Sequence, residues 1–364
     1  MRTIMNAKHL HLLLPFALPS AADASSALRS LQSPALDKLL ARSTLVERIA
    51  GEDFQRTLPH ERWIARQFGA VASCTVDEAP LAPYMLIADG GTPGDAVWAC
   101  VEPAHVRIAH DHLVLVDPAA LELSAEEAAA LFAVAKPLVE ELGVRIEAPT
   151  PARWYLSGEV LGALASASPL RASGRSIEIW LPHDAHTGQR SRAWMKLQNE
   201  VQMAWFEHPV NTSREARGAP VVNALWLHSQ GAAQRVKSPF AQVFSNATAT
   251  RGLALGAGVD SSAAPPSFNA LSAANANVNA NGTTLVELEP FCAPFVQQDW
   301  TAWSAALAEL EREWFAPALA ALEAGRIGAL TMTLTGETGS TTLSTTRGDL
   351  RRFWRRRVLA SLVE

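Results

Sequence analysis

The sequence has few cysteines and few lysines. Its three cysteines, Cys74, Cys100 and Cys292, are far apart and form no Cys-x-x-Cys pair, which argues against a disulfide framework and a structural zinc site. We therefore expect a reducing, cytoplasmic location. Five of the 31 basic residues are lysine, which leaves 26 arginines, and we attribute this bias to coding composition. The net charge of -5 argues against a dedicated nucleic-acid-binding protein.

Long apolar runs are also missing, since none approaches the ~20 residues of a membrane helix. A short run, Leu10–Leu18, follows basic residues and precedes small ones, as in a signal peptide. Two histidines and Pro15 interrupt that pattern. Because His9–Phe16 is equally typical of a buried strand, we interpret it as the first strand of the fold and keep the signal peptide as the alternative.

The length of 364 residues and the hydrophobic content of 48% allow a substantial core, in two domains or one elaborated domain. The first strand is followed by Ser33–Ser43, whose leucines share one helical face. Later, Thr283–Phe291 and Gly328–Glu337 predict strands on either side of a helix capped by Asp299. This alternation predicts parallel crossover units, and hence an α/β fold with a doubly wound, mostly parallel sheet.

Three other segments carry less information. Ser261–Gly282 is rich in Ser, Ala, Asn and Pro, and we interpret it as a surface loop that adds little to the core. Asp349–Leu362 predicts a basic amphipathic helix with Phe353 and Trp354 packed inward, with binding to nucleic acid or to an acidic partner surface as the alternatives. His110-Asp111-His112 predicts a hairpin turn, because no third metal ligand accompanies the two histidines.

The segment Glu207–Gly231 combines polar side chains with turn-forming residues ahead of an apolar strand. Its guanidinium groups suit carboxylate or phosphate, and its asparagines can donate and accept hydrogen bonds at neutral oxygens. This composition is typical of a pocket for a small anion. The alternative is that the side chains satisfy loop backbone groups or remain solvated charges. The candidate ligand-binding residues in this segment are His208, Asn211, Arg214, Arg217 and Asn223.

The same segment resembles the archaeal-type cofactor-independent phosphoglycerate mutases of the alkaline phosphatase superfamily. The matching positions are His208, Pro209, Val210, Asn211, Arg214, Gly218, Pro220, Asn223, Trp226 and Gly231. Agreement over about 25 residues is more specific than a lone glycine motif. The resemblance extends to Pro182-His183-Asp184, which adds His183 and Asp184 to the candidate site, with an Asx-type turn before the next helix as the alternative. It implies an alkaline-phosphatase-like fold with a substrate-binding insert and a phosphoglycerate-like pocket.

The chain departs from this family at the strand ends, where metal-dependent members hold two metal ions with Asp and His side chains. Here the first strand runs into Pro15-Phe16, a later strand leads to Glu287 and Glu289, and another ends in Thr335-Gly336. No histidine follows His228. The resemblance is therefore to a degenerate relative, for which we expect no catalytic residues, no metal and no cofactor.

The resemblance also predicts the domain organisation, with a core of residues 1–120 and 235–364 and an inserted α+β subdomain at residues 121–234. The whole pattern, including the ending Arg352–Arg357, resembles the Rpf-type regulatory proteins of proteobacteria as well. We predict a non-catalytic regulatory or ligand-sensing protein that binds a small phosphorylated or carboxylate anion. The alternatives are an active metal-dependent phosphoglycerate mutase or phosphomonoesterase, and a structural partner protein without a small ligand. The sequence identifies no protein partner.

Overall fold

A computed structural model describes residues 9–20, 24, 27–28, 32–71, 78–184, 187–274 and 282–362 of the chain. Cys74 and residues 275–281 of the predicted surface loop lie outside these ranges. The chain divides into two compact units, one of Met1–Gln55 with Lys237–Glu364 and the other of Arg56–Val236. No helix among the described residues is both long and apolar enough to span a bilayer.

The elements are numbered along the chain. The strands are β1 (His9–Leu18), β2 (Thr44–Ile49), β3 (Val97–Ala109), β4 (His112–Val116), β5 (Arg145–Glu147), β6 (Trp154–Ser157), β7 (Ala224–Ala232), β8 (Phe240–Phe244), β9 (Ser261–Ser262), β10 (Thr283–Glu287), β11 (Ala329–Gly336) and β12 (Ser340–Thr346). The helices are α1 (Pro34–Arg42), α2 (Pro59–Phe68), α3 (Ala82–Ala88), α4 (Ala125–Glu140), α5 (Pro169–Ala172), α6 (Gln189–Phe206), α7 (Pro209–Ala216), α8 (Thr248–Gly256), α9 (Phe268–Ala274), α10 (Cys292–Val296), α11 (Trp300–Leu310) and α12 (Ala316–Glu323).

The first unit contains a seven-stranded sheet, counted over the described residues, with the order β2-β12-β11-β1-β10-β8-β9. Strands β11, β1, β10, β8 and β9 are parallel, whereas β12 and β2 continue the sheet antiparallel. The leucines at positions 12–14 of β1 are fully buried, as expected for a strand covered on both faces. The predicted first strand and the mostly parallel sheet are confirmed.

Strand β1 is irregular where the sequence predicts its end. It pairs with β11 in regular register up to Leu14, and the register then shifts before Leu18. Pro15 has no N–H to donate, and Phe16 adopts a φ of 56°, which is uncommon for a residue with a side chain. The Pro15-Phe16 pair therefore interrupts the ladder while the chain continues along the sheet.

The second unit contains a separate antiparallel sheet in which β3 is the central strand. The order is β4-β3-β6-β5, and β7 also pairs with β3. Helices α4 and α6 contribute Leu131 and Trp205 to a core that also contains Trp154 of β6. Because β3 pairs with β6 and β7, it belongs to this unit, whose contact-defined boundaries fall at 55/56 and 236/237 and differ from the predicted 120/121 and 234/235.

The surface-loop prediction for Ser261–Gly282 is wrong for the described part of that segment. Strand β9 pairs with β8, and helix α9 follows a few residues later. Phe268 and Leu271 of α9 are buried, so this segment contributes to the core of the first unit. The prediction failed because it rested on the overall Ala- and Ser-rich composition, whereas two apolar side chains, Phe268 and Leu271, are enough to pack α9 against the core.

The helix prediction for Asp349–Leu362 is also wrong. Two 3₁₀ turns, Asp349–Arg351 and Leu359–Ser361, replace it, and Phe353 and Trp354 are 76% and 66% exposed. Arg42 helps to explain why no helix forms, because its Nη1 donates at 2.7 Å to the carbonyl oxygens of residues 352 and 355. A helix would use those carbonyl groups internally.

Candidate functional site

The segment Glu207–Gly231 forms helix α7 and most of strand β7. His208 caps α7, and its Nδ1 atom accepts a hydrogen bond from the amide of Val210 at 3.2 Å. Pro209 follows as the first helical residue, a position where a missing N–H removes no helical bond. His208 therefore helps to start the helix.

Both asparagines bond to main-chain groups. Nδ2 of buried Asn211 donates to the carbonyl oxygens of Trp205 and Val222, and its Oδ1 accepts from the Val222 amide, all at 2.8 Å. Asn223 forms a reciprocal pair with the main chain of Val106 on β3, again with both bonds at 2.8 Å. Asn211 thus fixes the turn before β7, and Asn223 fixes that turn to β3.

Arg214 and Arg217 converge on a carboxylate of the chain itself. Oε2 of Glu127 accepts from Nη1 of Arg214 at 2.7 Å, and Oε1 accepts from Nη2 of Arg217 at 2.5 Å. Arg214 is 1% exposed and also donates to two main-chain carbonyl groups. Burial acts to raise the pKa of Glu127, but the bonds from Arg217 and the Ser124 amide, with the two positive charges, lower that pKa below its usual value. Glu127 is thus the anion that these arginines bind in the folded chain.

His183 and Asp184 lie in the turn before α6. The Asp184 carboxylate accepts from the amide and the hydroxyl of Thr187 at 3.2 and 2.7 Å, and from the amide of Arg190 at 3.4 Å. The main chain of His183 pairs with Ala165. These contacts are those of the Asx-type turn that the sequence left as the alternative.

The predicted site residues are therefore only partly brought together. Asn211, Arg214 and Arg217 cluster around α7, whereas Asn223 bonds to β3 and the pair at 183–184 precedes α6. All the contacts described above are with the chain itself, which favours a role in stabilising the local backbone. Anion binding by this set stays a prediction.

The carboxyl ends of the parallel strands, where ligands commonly bind in open α/β sheets, carry a buried polar pair. Ser245 directly follows β8, and its Oγ donates to Oε2 of Glu287, the last residue of β10, at 2.6 Å. Burial raises the pKa of Glu289 to about 8, and the charge of Glu287 adds to the shift. A carboxyl group with this pKa can exchange protons near neutral pH.

A concave site of about 540 Å³ also lies in the first unit, beside the end of α1. Arg355, Arg356 and Arg357 line it together with residues 41 and 43–45. Nη1 of Arg355 donates to the carbonyl oxygen of Ser43, and Nη1 of Arg357 donates to its Oγ, both at 3.1 Å. This site was not predicted, because the arginines were expected on a solvated helix. Their density was the available signal.

Ligand-type side chains meet in the second unit on strands β3 and β7. Cys100, Glu102 and His228 each place one ligand atom within 4.8 Å of the others, and no other group of three or more metal-ligating residues occurs in the described ranges. Nε2 of His228 lies 3.0 Å from Oε1 of Glu102. Burial raises the pKa of the Cys100 thiol well above its usual value, and the charge of Glu102 adds to this. This group could not be recognised as a local motif, because Glu102 and His228 are 126 positions apart, and no metal site was expected.

These features define an α/β protein with a mostly parallel sheet in one unit and an antiparallel sheet in the other. No protein-family model matches the chain, and no curated protein matches it.

Among solved structures, the chain is similar to the PH0037 protein from Pyrococcus horikoshii, with 13% identity and a TM-score of 0.53 over 99% of this chain and 93% of that one. It is also similar to the cofactor-independent phosphoglycerate mutase from Thermoplasma acidophilum, with 14% identity and a TM-score of 0.45 over 98% and 94% of the respective chains. At these identities the similarity concerns the fold alone. Of these two, only the comparison with the PH0037 protein, with its TM-score of 0.53, supports a shared fold.

Proposed function

We propose that this chain is a non-catalytic, phosphoglycerate-mutase-like protein that binds a small phosphorylated or carboxylate anion in a regulatory or ligand-sensing role. The observation that carries the proposal is the cavity lined by Arg355, Arg356 and Arg357. The sequence resemblance at Glu207–Gly231 supports the choice of a phosphoglycerate-like ligand. The arginine cavity supports the charge of that ligand.

The cavity has the size and the donors that such a ligand needs. Its volume of about 540 Å³ falls within the roughly 300–1,000 Å³ of small-molecule sites. The contacts to Ser43 hold Arg355 and Arg357 in place, so a ligand meets partly ordered guanidinium groups. The side chains of residues 355–357 bring three positive charges to this site, and a bound anion would offset part of that charge.

Isothermal titration calorimetry with 3-phosphoglycerate and with inorganic phosphate tests this proposal. Each charge-assisted hydrogen bond contributes about 1.5–3 kcal/mol, so Arg356→Gln is expected to weaken binding about tenfold or more. Arg251→Gln, on the exposed face of α8, is the matched control and should bind as the wild type does. If Arg356→Gln binds normally and Arg217→Gln does not, the ligand occupies the segment chosen from the sequence and not the cavity.

A second candidate ligand is single-stranded nucleic acid, which the exposed Phe353 and Trp354 favour because bases stack on such rings beside arginines. Fluorescence titration with a short oligonucleotide separates the two ligands. Phe353→Ala with Trp354→Ala would weaken oligonucleotide binding and leave 3-phosphoglycerate binding unchanged. If this double variant retains oligonucleotide affinity, the rings do not form a stacking platform.

The catalytic alternative rests on the carboxyl-edge residues Ser245, Glu287 and Glu289. Conversion of 3-phosphoglycerate to 2-phosphoglycerate in the presence of Mn²⁺, abolished by a chelator, would overturn the non-catalytic assignment. If the chain binds neither 3-phosphoglycerate, nor phosphate, nor an oligonucleotide, the remaining hypothesis is a structural partner protein without a small ligand.

A further inference from the structure

Strands β3 and β7 bring three side chains to one face of the antiparallel sheet. Cys100 and Glu102 are two positions apart on β3, and side chains alternate along a strand, so both lie on the same face. Cys100 is directly opposite His228 on β7. Cross-strand partners on one face have closely spaced side chains, which explains why the three ligand atoms lie within 4.8 Å of one another.

A β-bulge follows His228 directly on β7. The pairing register shifts between Trp98 and Cys100, and Ser229, in the bulged part of β7, has a φ of 60°. A residue with a side chain adopts this conformation at an energetic cost, and bulges of this kind are frequent beside functional sites. Oγ of Ser229 lies 2.8 Å from Nδ1 of His228. The other ring nitrogen, Nε2, therefore faces Glu102.

This arrangement matches the two shells of a transition-metal site. A metal-bound histidine uses one ring nitrogen as the ligand and hydrogen-bonds through the other to an oxygen, as His228 does with Ser229. Thiolate, imidazole and carboxylate together are a ligand set for Zn²⁺. With metal–ligand distances of about 2.0–2.3 Å, tetrahedral ligand atoms lie roughly 3.3–3.8 Å apart. The contact of 3.0 Å between Glu102 and His228 needs to open by a few tenths of an ångström, and the distances to Sγ, which are within 4.8 Å, need to close by up to about 1 Å.

The charges in the surroundings are balanced for a divalent ion. On metal binding the Cys100 thiol would release its proton to solvent, and the resulting thiolate and the Glu102 carboxylate would supply two negative charges that neutralise one M²⁺ ion. The nearby Asp89 carboxylate is already paired with Arg153, whose Nε and Nη2 donate to it at 2.9 and 2.8 Å. The Glu102 side chain is 17% exposed, which gives an ion a route to the otherwise buried group.

We propose that Cys100, Glu102 and His228 form a binding site for one Zn²⁺ ion, with Sγ, a carboxylate oxygen and Nε2 as ligands and water in the fourth position. This site is distinct from the two-metal centre of the alkaline phosphatase superfamily, since it lies on the antiparallel sheet of the second unit. It is also independent of the arginine cavity proposed for the anion.

The test is a titration of the chelator-treated, reduced full chain with Co²⁺, which replaces Zn²⁺ and reports thiolate ligation through a charge-transfer band in the near ultraviolet. We expect one Co²⁺ per chain, displaced by Zn²⁺. Cys100→Ser should lose the charge-transfer band, whereas the matched control Cys292→Ser, altered in the first unit, should retain it. Ser229→Gly, which suits the positive φ, should weaken affinity about 10- to 100-fold, because it removes the hydroxyl oxygen that lies against Nδ1 of His228.

Folding of the variants is checked by circular dichroism, and Glu102→Gln provides a conservative second test of the ligand set. Glu102→Gln should weaken Co²⁺ affinity by at least about tenfold, since it replaces an anionic carboxylate ligand by a neutral amide oxygen. A wild-type chain that binds no stoichiometric Co²⁺ or Zn²⁺ overturns the proposal. Binding that is unchanged in both Cys100→Ser and Glu102→Gln overturns it equally, and leaves the group as a hydrogen-bonded His228–Glu102 pair beside a buried thiol.

Discussion

Replacement of Asn211 by alanine separates the structural and ligand-binding roles of the α7 segment. The change removes three buried hydrogen bonds of 2.8 Å and leaves the amide and the carbonyl of Val222 without this partner, whereas the Trp205 carbonyl still accepts from the amide of His208. Each buried unsatisfied group costs about 1–3 kcal/mol. Allowing for water that enters the vacated space, we expect the free energy of unfolding to fall by about 3–5 kcal/mol.

Urea unfolding followed by tryptophan fluorescence and circular dichroism measures this loss. The matched control is Asn199→Ala on the exposed face of α6, which should change stability by no more than about 0.5 kcal/mol. A stability loss in Asn211→Ala without a loss of 3-phosphoglycerate affinity, measured at a temperature where the variant is folded, supports the structural role. A loss of affinity with stability changed by less than about 1 kcal/mol would refute the reasoning and restore Asn211 as a ligand-binding residue.

Two further predictions concern the first unit. Because the pKa of Glu289 is raised, its carboxyl group keeps its proton in the folded state at pH values where the unfolded chain releases it. The group therefore stabilises the fold at low pH, and this contribution is lost as the pH rises from 4.5 to about 8. Glu289→Gln should flatten this fall in stability in a pH series of urea unfolding curves, and an unchanged slope would contradict the assignment. Phe268→Ala should lower the free energy of unfolding by about 3–5 kcal/mol because it removes a buried ring. Ser272→Ala, on the exposed face of α9, is the control and should have little effect in thermal denaturation. Equal melting temperatures for the two variants would mean that α9 does not contribute to the core.

Features set by neighbouring residues could be predicted from the sequence. The Ser124 hydroxyl accepts from the amide of Glu127, and the Asp299 carboxylate accepts from the amide of Ala302, as their spacing indicates. The apolar run of β1 also identified a buried strand, because both faces of a central parallel strand need apolar side chains. In each case the decisive interaction either spans three residues or depends on composition alone.

Features set by distant residues could not be predicted. Asn223 bonds to Val106, 117 positions away, and nothing in its local sequence separates this role from ligand binding. The pairing of Cys100 with His228 depends on strand register, which hydrophobic alternation alone does not fix. The irregular segment Arg352–Arg357 likewise depends on distant residues, because Arg42 donates hydrogen bonds to its carbonyl groups and Arg355 donates to Ser43 and Thr44.

The position of β1 in the first sheet also bears on how the protein folds. Its parallel neighbours β10 and β11 come from the far end of the chain, and His9 and Thr283, which face each other in the sheet, are 274 positions apart. The second unit, in contrast, is one continuous stretch, Arg56–Val236. During synthesis this apolar strand leaves the ribosome long before its partners, while the second unit can complete its own contacts. Until the last third of the chain is made, β1 is an unpaired apolar strand exposed to aggregation, and chaperones that hold such strands are expected to bind this protein co-translationally.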